Sequence, residues 1–263
     1  AGPVIRQNVK DPGELSSGLP QTLEEISRYR VLVLSNVLPT DLSVDQQKLI
    51  LQFCGELGGG VLMIGGYNLL QAPWQNSELE KILPVRFDES RGPVAGEIQP
   101  FRFKPTPEAL EHAVFQIAAE KRASAAAWEK LPLFRHFAPV SSPKPGAMVW
   151  GRLDRQGAVD EPPVLMAYQR YGLGLTSVLC VQDFYLWRLS KDTVPEQFDR
   201  FWCQLLRYLG QDRSFDDSIE FSDKEPRPKT EIQVLLERRL FDSLGKSVEE
   251  PVAGGLSDAS RVQ

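Results

Sequence analysis

The sequence predicts an α/β fold with a mostly parallel sheet, and the first observation is a pair of apolar runs. Val31–Leu34 and Val61–Ile64 are apolar at successive positions, which is typical of strands buried on both faces. The second observation is the segment between them, which has the spacing of an amphipathic helix. A strand, a helix and a strand within about 35 residues form a βαβ unit with parallel strands and a right-handed crossover. We therefore expect the two runs to be adjacent inner strands of one sheet.

The helix between these strands has recognisable ends. Ser43 and Gln46 have the spacing of a capping box, in which each side chain accepts a hydrogen bond from the other residue's backbone. Gly58 is the expected end of the helix, because glycine adopts the left-handed conformation without strain. The apolar face is predicted to comprise Val44, Leu49, Ile50, Phe53, Cys54 and Leu57.

The remaining elements divide into an irregular middle and a regular later part. Residues 86–150 contain many prolines and short alternating pieces, which indicates an inserted irregular or β region rather than a separate domain. Two further strands follow, with Gly172 and Gly174 at a predicted hairpin turn. A helix begins at Pro195 and ends at Gly210.

Composition restricts the classes of function. A chain of 263 residues can form one large α/β domain or two small ones. The net charge of −5 argues against a nucleic-acid-binding surface. No apolar run reaches the 18 or so residues of a membrane span, and no signal peptide begins the sequence. An upstream targeting or membrane segment would not be visible here.

The three cysteines do not predict a metal site. Cys54, Cys180 and Cys203 lie far apart and lack the spacing of metal ligands, and each has apolar neighbours that predict a buried side chain. No metal and no cofactor are predicted. A dinucleotide site is disfavoured as well, because "GGGVLMIGG" lacks the Gly-x-Gly-x-x-Gly spacing that opens a helix.

A binding site is expected beyond the carboxyl ends of the parallel strands, where ligands collect in sheets of this kind. Aromatic residues near this rim suit binding, and they include Trp74 and Tyr185. The candidate ligand-binding residues are Ser35, Asn36, Gly65, Gly66, Tyr67, Asn68, Asp183 and Trp187.

Several segments together resemble the class I glutamine-amidotransferase-like domain of large bacterial membrane proteins, as found in planctomycetes. They are "LSVDQQKLILQFCGELGGGVLMIGG", "LEKILPV", "WEKLPL", "PKPGAMVW", "PVLMAYQRYGLG" and "FDRFWCQLLRYLG", in the family's order between Tyr29 and Gly210. The resemblance implies a three-layer α/β/α, flavodoxin-like sandwich outside the cytoplasmic membrane, although a cytoplasmic location stays open. It assigns residues 1–210 to this domain. Residues 211–263 are a C-terminal extension that resembles the truncated start of a following β-sandwich domain.

The resemblance does not extend to the catalytic residues. A class I amidotransferase uses a cysteine on a glycine-flanked turn after a strand, a histidine that moves the proton, and a glutamate that orients the histidine. Here that turn reads Gly65-Gly66-Tyr67-Asn68, and Cys54 lies within the helix. Asp183 stands where the family's late histidine motif would fall. No catalytic residue is therefore predicted, and both His112 and His136 are expected to be surface or packing residues.

The leading hypothesis is a non-catalytic amidotransferase-like module within a larger membrane-anchored protein. It would bind a partner domain or a small ligand at the rim. The alternative is an enzyme, a glutamine amidotransferase or a related hydrolase with a displaced nucleophile. An enzyme requires a nucleophile and a base within hydrogen-bond reach of each other, whereas a binding module needs only a concave patch.

Overall fold

A computed structural model describes residues 15, 18–65, 74, 76–87, 100–138, 140–154 and 162–211, together with the backbone of four short strands between positions 218 and 249. The chain forms two compact units, Ala1–Gln211 and Asp212–Gln263. Within the described part of the chain, no helix is both long enough and apolar enough to cross a membrane.

The first unit is built on a six-stranded sheet with the order β1-β2-β8-β7-β6-β4. Its strands are β1 (Val31–Ser35), β2 (Gly60–Ile64), β4 (Arg102–Pro105), β6 (Met148–Asp154), β7 (Val164–Tyr171) and β8 (Gly174–Leu179). β1, β2 and β8 pair in parallel, whereas β8–β7, β7–β6 and β6–β4 pair antiparallel. Strands β1, β2, β8 and β6 therefore run one way, and β7 and β4 run the other. A separate antiparallel pair joins β3 (Val85–Phe87) to β5 (Val140–Pro143).

Helices cover both faces of this sheet, so the unit is a three-layer α/β sandwich. They are α1 (Leu23–Ile26), α2 (Val44–Gly55), α3 (Pro107–Glu111), α4 (Lys121–Glu129), α5 (Leu186–Leu189) and α6 (Pro195–Leu209), with short 3-10 helices at Pro39–Asp41, Glu78–Ile82 and Ala113–Phe115. The capping box of α2 is confirmed, since the Gln46 N–H donates to Ser43 Oγ and the Ser43 N–H donates to Gln46 Oε1. Gly210 caps α6 as expected.

Two hydrophobic clusters lie on opposite faces of the sheet. Alternation along β2 sends Leu62 to one cluster and Val61 and Met63 to the other. On the α6 face the cluster includes Phe103, Phe115, Trp128, Trp187, Phe201, Leu205 and Leu209. On the α2 face it includes Leu49, Ile50, Phe53, Leu79, Ile82 and Val178.

The prediction for the first two strands is correct in part. β1 and β2 are adjacent and parallel, with Val33 opposite Leu62. However, β1 is an edge strand and not an inner one, and Val33 is 43% exposed. Both apolar runs predicted strands buried on both faces. Only β2 is buried in this way. The physical reason is position, because in the part of the chain that the structure describes β1 has a neighbouring strand on one side alone.

The end of the sheet opposite the carboxyl rim is closed by backbone-to-backbone contact. Gly172 and Gly174 form the predicted hairpin turn between β7 and β8, and this turn packs on the end of α2. A Cβ atom at Gly174 would lie 2.5 Å from the carbonyl oxygen of Cys54, and closer still to that of Gly59. The Leu173 N–H also donates to the Gly55 carbonyl at 3.0 Å. Glycine is needed here because any side chain would separate the two backbones.

The middle segment, residues 86–150, supplies strands to the main sheet and helices that cover it. β4 and β6 form one side of the main sheet, and α3 and α4 cover the α6 face. Within this segment α3 stops at Glu111, and a 3-10 turn follows.

The second unit contains short antiparallel strand pairs. β9 (Ser218–Phe221) pairs with β10 (Val234–Glu237), and β11 (Arg239–Phe241) pairs with β12 (Ser247–Glu249).

Candidate functional site

The carboxyl ends of the three parallel strands form a rim. Ser35 ends β1, and Asn36 follows it with a φ of 53°, its N–H donating to the Ile64 carbonyl at 2.7 Å. Gly65 follows β2 and is buried, with its N–H donating to the Leu179 carbonyl at 3.1 Å. The structure thus brings Ser35, Asn36 and Gly65 to the predicted rim. Gly66, Tyr67 and Asn68 lie outside the described residues.

Among the aromatic candidates that the structure describes, only Tyr185 is available to a ligand. Trp187 is fully buried in the α6-face cluster, where its ring lies 5.0 Å from that of Trp128, so its predicted place at the rim is corrected. The cause is α5, whose single turn directs this side chain inward. Trp74 is also buried, against Phe87 on the α2 face. Tyr185 is 58% exposed.

Beyond β8 the chain forms an antiparallel ribbon with an earlier segment. We call residues 134–138 and 180–184 the rim ribbon. The Ala138 N–H donates to the Cys180 carbonyl at 2.9 Å, and Phe137 bridges Val181. The Gln182 N–H donates to the His136 carbonyl at 3.0 Å. Stacked rings of Phe134 and Phe184, 5.4 Å apart, anchor its far end in the core.

Asp183 and His136 meet on this ribbon. Asp183 Oδ2 accepts the Arg135 N–H at 2.9 Å and lies 3.5 Å from His136 Nδ1. The Asp183 side chain is only 9% exposed, whereas that of His136 is 55% exposed. Asp183 Oδ1 is buried and has no hydrogen-bond partner within the described part of the chain. A buried carboxylate beside Nδ1 favours a proton on that nitrogen and leaves Nε2 free to accept one.

Exposed apolar side chains flank the ribbon along the chain. We call Leu133, Tyr185 and Leu189 the rim patch. They are 49%, 58% and 69% exposed, respectively. Leu133 and Tyr185 adjoin the stacked phenylalanines, and Leu189 ends α5. Arg135 and His136 are exposed beside them. Apolar groups bordered by cationic and aromatic groups are typical of surfaces that bind proteins.

The cysteines lie in three different environments. Cys54 is on α2, with its Sγ 3.8 Å from the Tyr171 carbonyl at the end of the sheet opposite the rim. Burial raises its pKa to about 12. Cys180 directly follows β8, and complete burial raises its pKa further. Cys203 is exposed on α6, so the predicted burial holds for two cysteines and is wrong for the third.

The described residues also offer no cluster of metal ligands. Within those ranges, no group of three or more His, Cys, Asp or Glu side chains could hold a metal ion.

Comparison with known proteins shows a shared fold. No protein-family model matches the sequence, and curated proteins give no significant match. The structure is similar to cytoplasmic protein STM3548 from Salmonella typhimurium, with a TM-score of 0.54 and 20% identity over 73% of this chain and 76% of that chain. Cytoplasmic protein STM1381 from Salmonella typhimurium LT2 gives 0.52 and 22% over the same shares. A beta-galactosidase from Bacillus circulans sp. alkalophilus gives only 0.42 and 12%, covering 86% of this chain and 32% of that chain. At identities this low, the two Salmonella proteins show a common fold alone.

Sequence reasoning identified Asp183 but missed its partner. His136 lies 47 positions earlier, and only the pairing of the two ribbon segments brings it to Asp183. The run Leu133–Phe137 reads Leu-Phe-Arg-His-Phe, which does not alternate strictly between apolar and polar residues and so carries no clear strand signal. Nothing local in the sequence therefore placed this segment beside β8.

Proposed function

We propose that this chain is a non-catalytic, amidotransferase-like module that binds a partner domain or a small ligand at the carboxyl rim. The resemblance in sequence extends the proposal to a larger, membrane-anchored parent protein with this domain on its extracytoplasmic side. The observation that carries the binding role is the exposed rim patch beside the rim ribbon.

The burial and the positions of the cysteines argue against a catalytic thiol. A nucleophilic cysteine reacts as the thiolate and requires a pKa near or below the ambient pH. Burial raises the pKa of both Cys54 and Cys180, so each remains a neutral thiol at pH 7. Cys54 also lies at the far end of the sheet, and Cys203 is exposed on a helix. None of these positions is the strand-to-helix turn that the chemistry uses.

The first test concerns glutamine hydrolysis. We expect no ammonia release above the uncatalysed rate, and no labelling by a glutamine-analogue affinity reagent. The matched variants are Cys54→Ser and Cys180→Ser, with Cys203→Ser as a control on the surface. Turnover that disappears in one of the two buried variants, and not in the control, would sink the non-catalytic proposal.

The second test concerns the rim patch. The dye 1-anilinonaphthalene-8-sulfonate fluoresces on accessible apolar surface. Because Tyr185 and Leu189 are exposed, we expect the double variant Tyr185→Ser, Leu189→Ser to lose most of the dye signal of the folded protein. Val44→Ser, at a position 57% exposed on α2, is the control and should lose little. Equal losses in the two variants would show that the patch is not a distinct binding surface.

A second candidate function is a hydrolase in which His136 is the base and Asp183 orients it. The observation that favours it is the 3.5 Å approach of Asp183 Oδ2 to His136 Nδ1, with the ring otherwise open to solvent. His136 Nε2 would take a proton from water as the water attacks an ester or amide carbon. Hydrolysis of p-nitrophenyl acetate tests it. Equal loss of rate in His136→Gln and Asp183→Asn, with His112→Gln unaffected, would favour this candidate over the binding module.

A further inference from the structure

The outer edge of the main sheet is unpaired along β1. Arg30 O accepts from Gly60 N, and Asn36 N donates to Ile64 O, so alternate residues of β1 face β2. The N–H and C=O groups of Val31, Val33 and Ser35 therefore point away from the sheet. Within the described ranges these groups have no hydrogen-bond partner.

One face of this strand is open as well. α6 packs over β2 and β8, and Gly210 at its end lies beside Val31 of β1. Val33 projects on the same face as Val31 and stays 43% exposed, and Ser35 is exposed beyond it. The strand "VLVLS" has no charge, proline or bulge, the features that normally protect a sheet edge from pairing.

We propose that this edge pairs with the same edge of a second copy of the chain. The two β1 strands run antiparallel about a twofold axis that passes beside Val33. Val33 then faces Val33 of the second copy, and Val31 faces its Ser35. Each of these pairs exchanges both backbone hydrogen bonds, because all three residues present their polar groups outward. The two sheets become one continuous sheet across the axis.

A second copy suits this edge better than an unrelated strand because the edge is complementary to itself. A twofold interface requires one patch to match its own image. In this register Arg30 faces Asn36, so no like charges oppose each other at the ends of the strand. The two exposed Val33 side chains meet on the open face and shield each other from water. The edge thus supplies hydrogen bonds, an apolar contact and no repulsion.

The test is a charge swap at Val33, followed by sedimentation equilibrium of the full chain. We expect the wild-type protein to dimerise, and both Val33→Lys and Val33→Glu to raise the dissociation constant about tenfold or more, since like charges directly opposite destabilise a strand pair. An equimolar mixture of the two variants should restore the dimer, because Lys then faces Glu. Val44→Lys is the matched control, an exposed valine on α2, and should leave the dimer unchanged.

Two results would overturn the proposal. One is a wild-type protein that stays monomeric up to about millimolar concentration, where even weak specific pairs associate. The other is a dimer that persists in Val33→Lys, or that the mixture fails to restore, since this would place the interface elsewhere. Hydrogen exchange adds a direct readout, with protection of the Val31, Val33 and Ser35 amides that rises with wild-type concentration.

Discussion

The two histidines of the chain, His112 and His136, occupy contrasting environments. His112 packs edge-on against Tyr208, with ring centroids 4.5 Å apart, and its Nδ1 accepts the Val114 N–H at 3.2 Å. Burial lowers its pKa. His136 is largely exposed and faces the Asp183 carboxylate. The first therefore serves packing as a neutral ring, and the second can exchange protons with solvent.

The lowered pKa of His112 makes stability depend on pH. In the unfolded chain this histidine binds a proton near its ordinary pKa of about 6.5, whereas the folded protein binds it only at lower pH. Between these two values the unfolded state holds more protons, so stability falls as the pH drops. We expect the melting temperature to decrease from pH 7.5 to pH 5.5, and to decrease less in His112→Phe.

His136→Gln is the control for this measurement, because its exposed ring is not part of the aromatic cluster. Parallel melting curves for the wild-type protein and His112→Phe across this range would contradict the prediction. The Phe variant should also melt lower at every pH, since the Val114 N–H loses its acceptor.

The burial of individual side chains was predicted correctly at some positions and wrongly at others. Apolar neighbours predicted buried cysteines, and they did so correctly for Cys54 and Cys180. Cys203 has the same kind of neighbours but lies on the outer side of α6, because helical periodicity and not composition decides the face. Trp187 was placed at the rim by its distance from β8, and the turn of α5 buried it. Local sequence does not specify such a rotation.

Among the elements, the contact between α2 and the β7–β8 hairpin is the most constrained. The Gly174 position has backbone oxygens on two sides, from Gly59 and Cys54. A methyl group there has no room unless the hairpin and the helix separate. Overpacking of this kind typically costs about 1–3 kcal/mol.

We therefore expect Gly174→Ala to lower the free energy of unfolding by about 1–3 kcal/mol in urea denaturation. Gly146→Ala is the comparison, because Gly146 has a φ of +83° and nothing within 4 Å of an added Cβ. It should cost about 1 kcal/mol through backbone strain alone. If Gly174→Ala is the milder of the two, the steric explanation for the hairpin glycine is wrong.

Elements with strong local signals were predicted well. The capping box of α2, the Pro195 start of α6 and the glycine hairpin all depend on neighbouring residues, and all are present. The edge position of β1 depends instead on the order of strands in the sheet. The pairing of residues 134–138 with 180–184 likewise joins distant segments. Long-range pairing of this kind leaves no local signal.

At the scale of the whole molecule, the first unit carries two hydrophobic clusters of its own. Their buried side chains, among the residues that the structure describes, lie between Ile26 and Leu209. We therefore expect a chain without residues 215–263 to keep its fold and to melt cooperatively, as followed by circular dichroism.

The matched control removes residues 201–263 and so takes Phe201, Leu205 and Leu209 from the α6-face cluster. This longer deletion should abolish cooperative melting. A molten state after the shorter deletion would show instead that the second unit is integral to the core of the first.

The α/β class followed from the βαβ unit, because one crossover sets the direction of the strands on either side, whereas the three layers were implied by the resemblance. The antiparallel half of the sheet was less predictable. β7 and β8 were joined correctly by their turn, yet β4 comes from a segment whose prolines indicated an irregular or β insertion. Proline restricts a strand to an edge or an end, and Pro105 indeed ends the edge strand β4.

The unequal division of indole rings between the two faces has a spectroscopic consequence. Trp128, Trp150 and Trp187 belong to the α6-face cluster and Trp202 packs against it, whereas Trp74 is the tryptophan of the α2 face. Intrinsic emission from the native protein therefore originates mainly on one side of the sheet. Replacing Trp74 by phenylalanine would restrict the emission to that side, and a chain retaining Trp74 as its sole indole would report on the other. Loosening of each layer could then be timed separately within a single molecule.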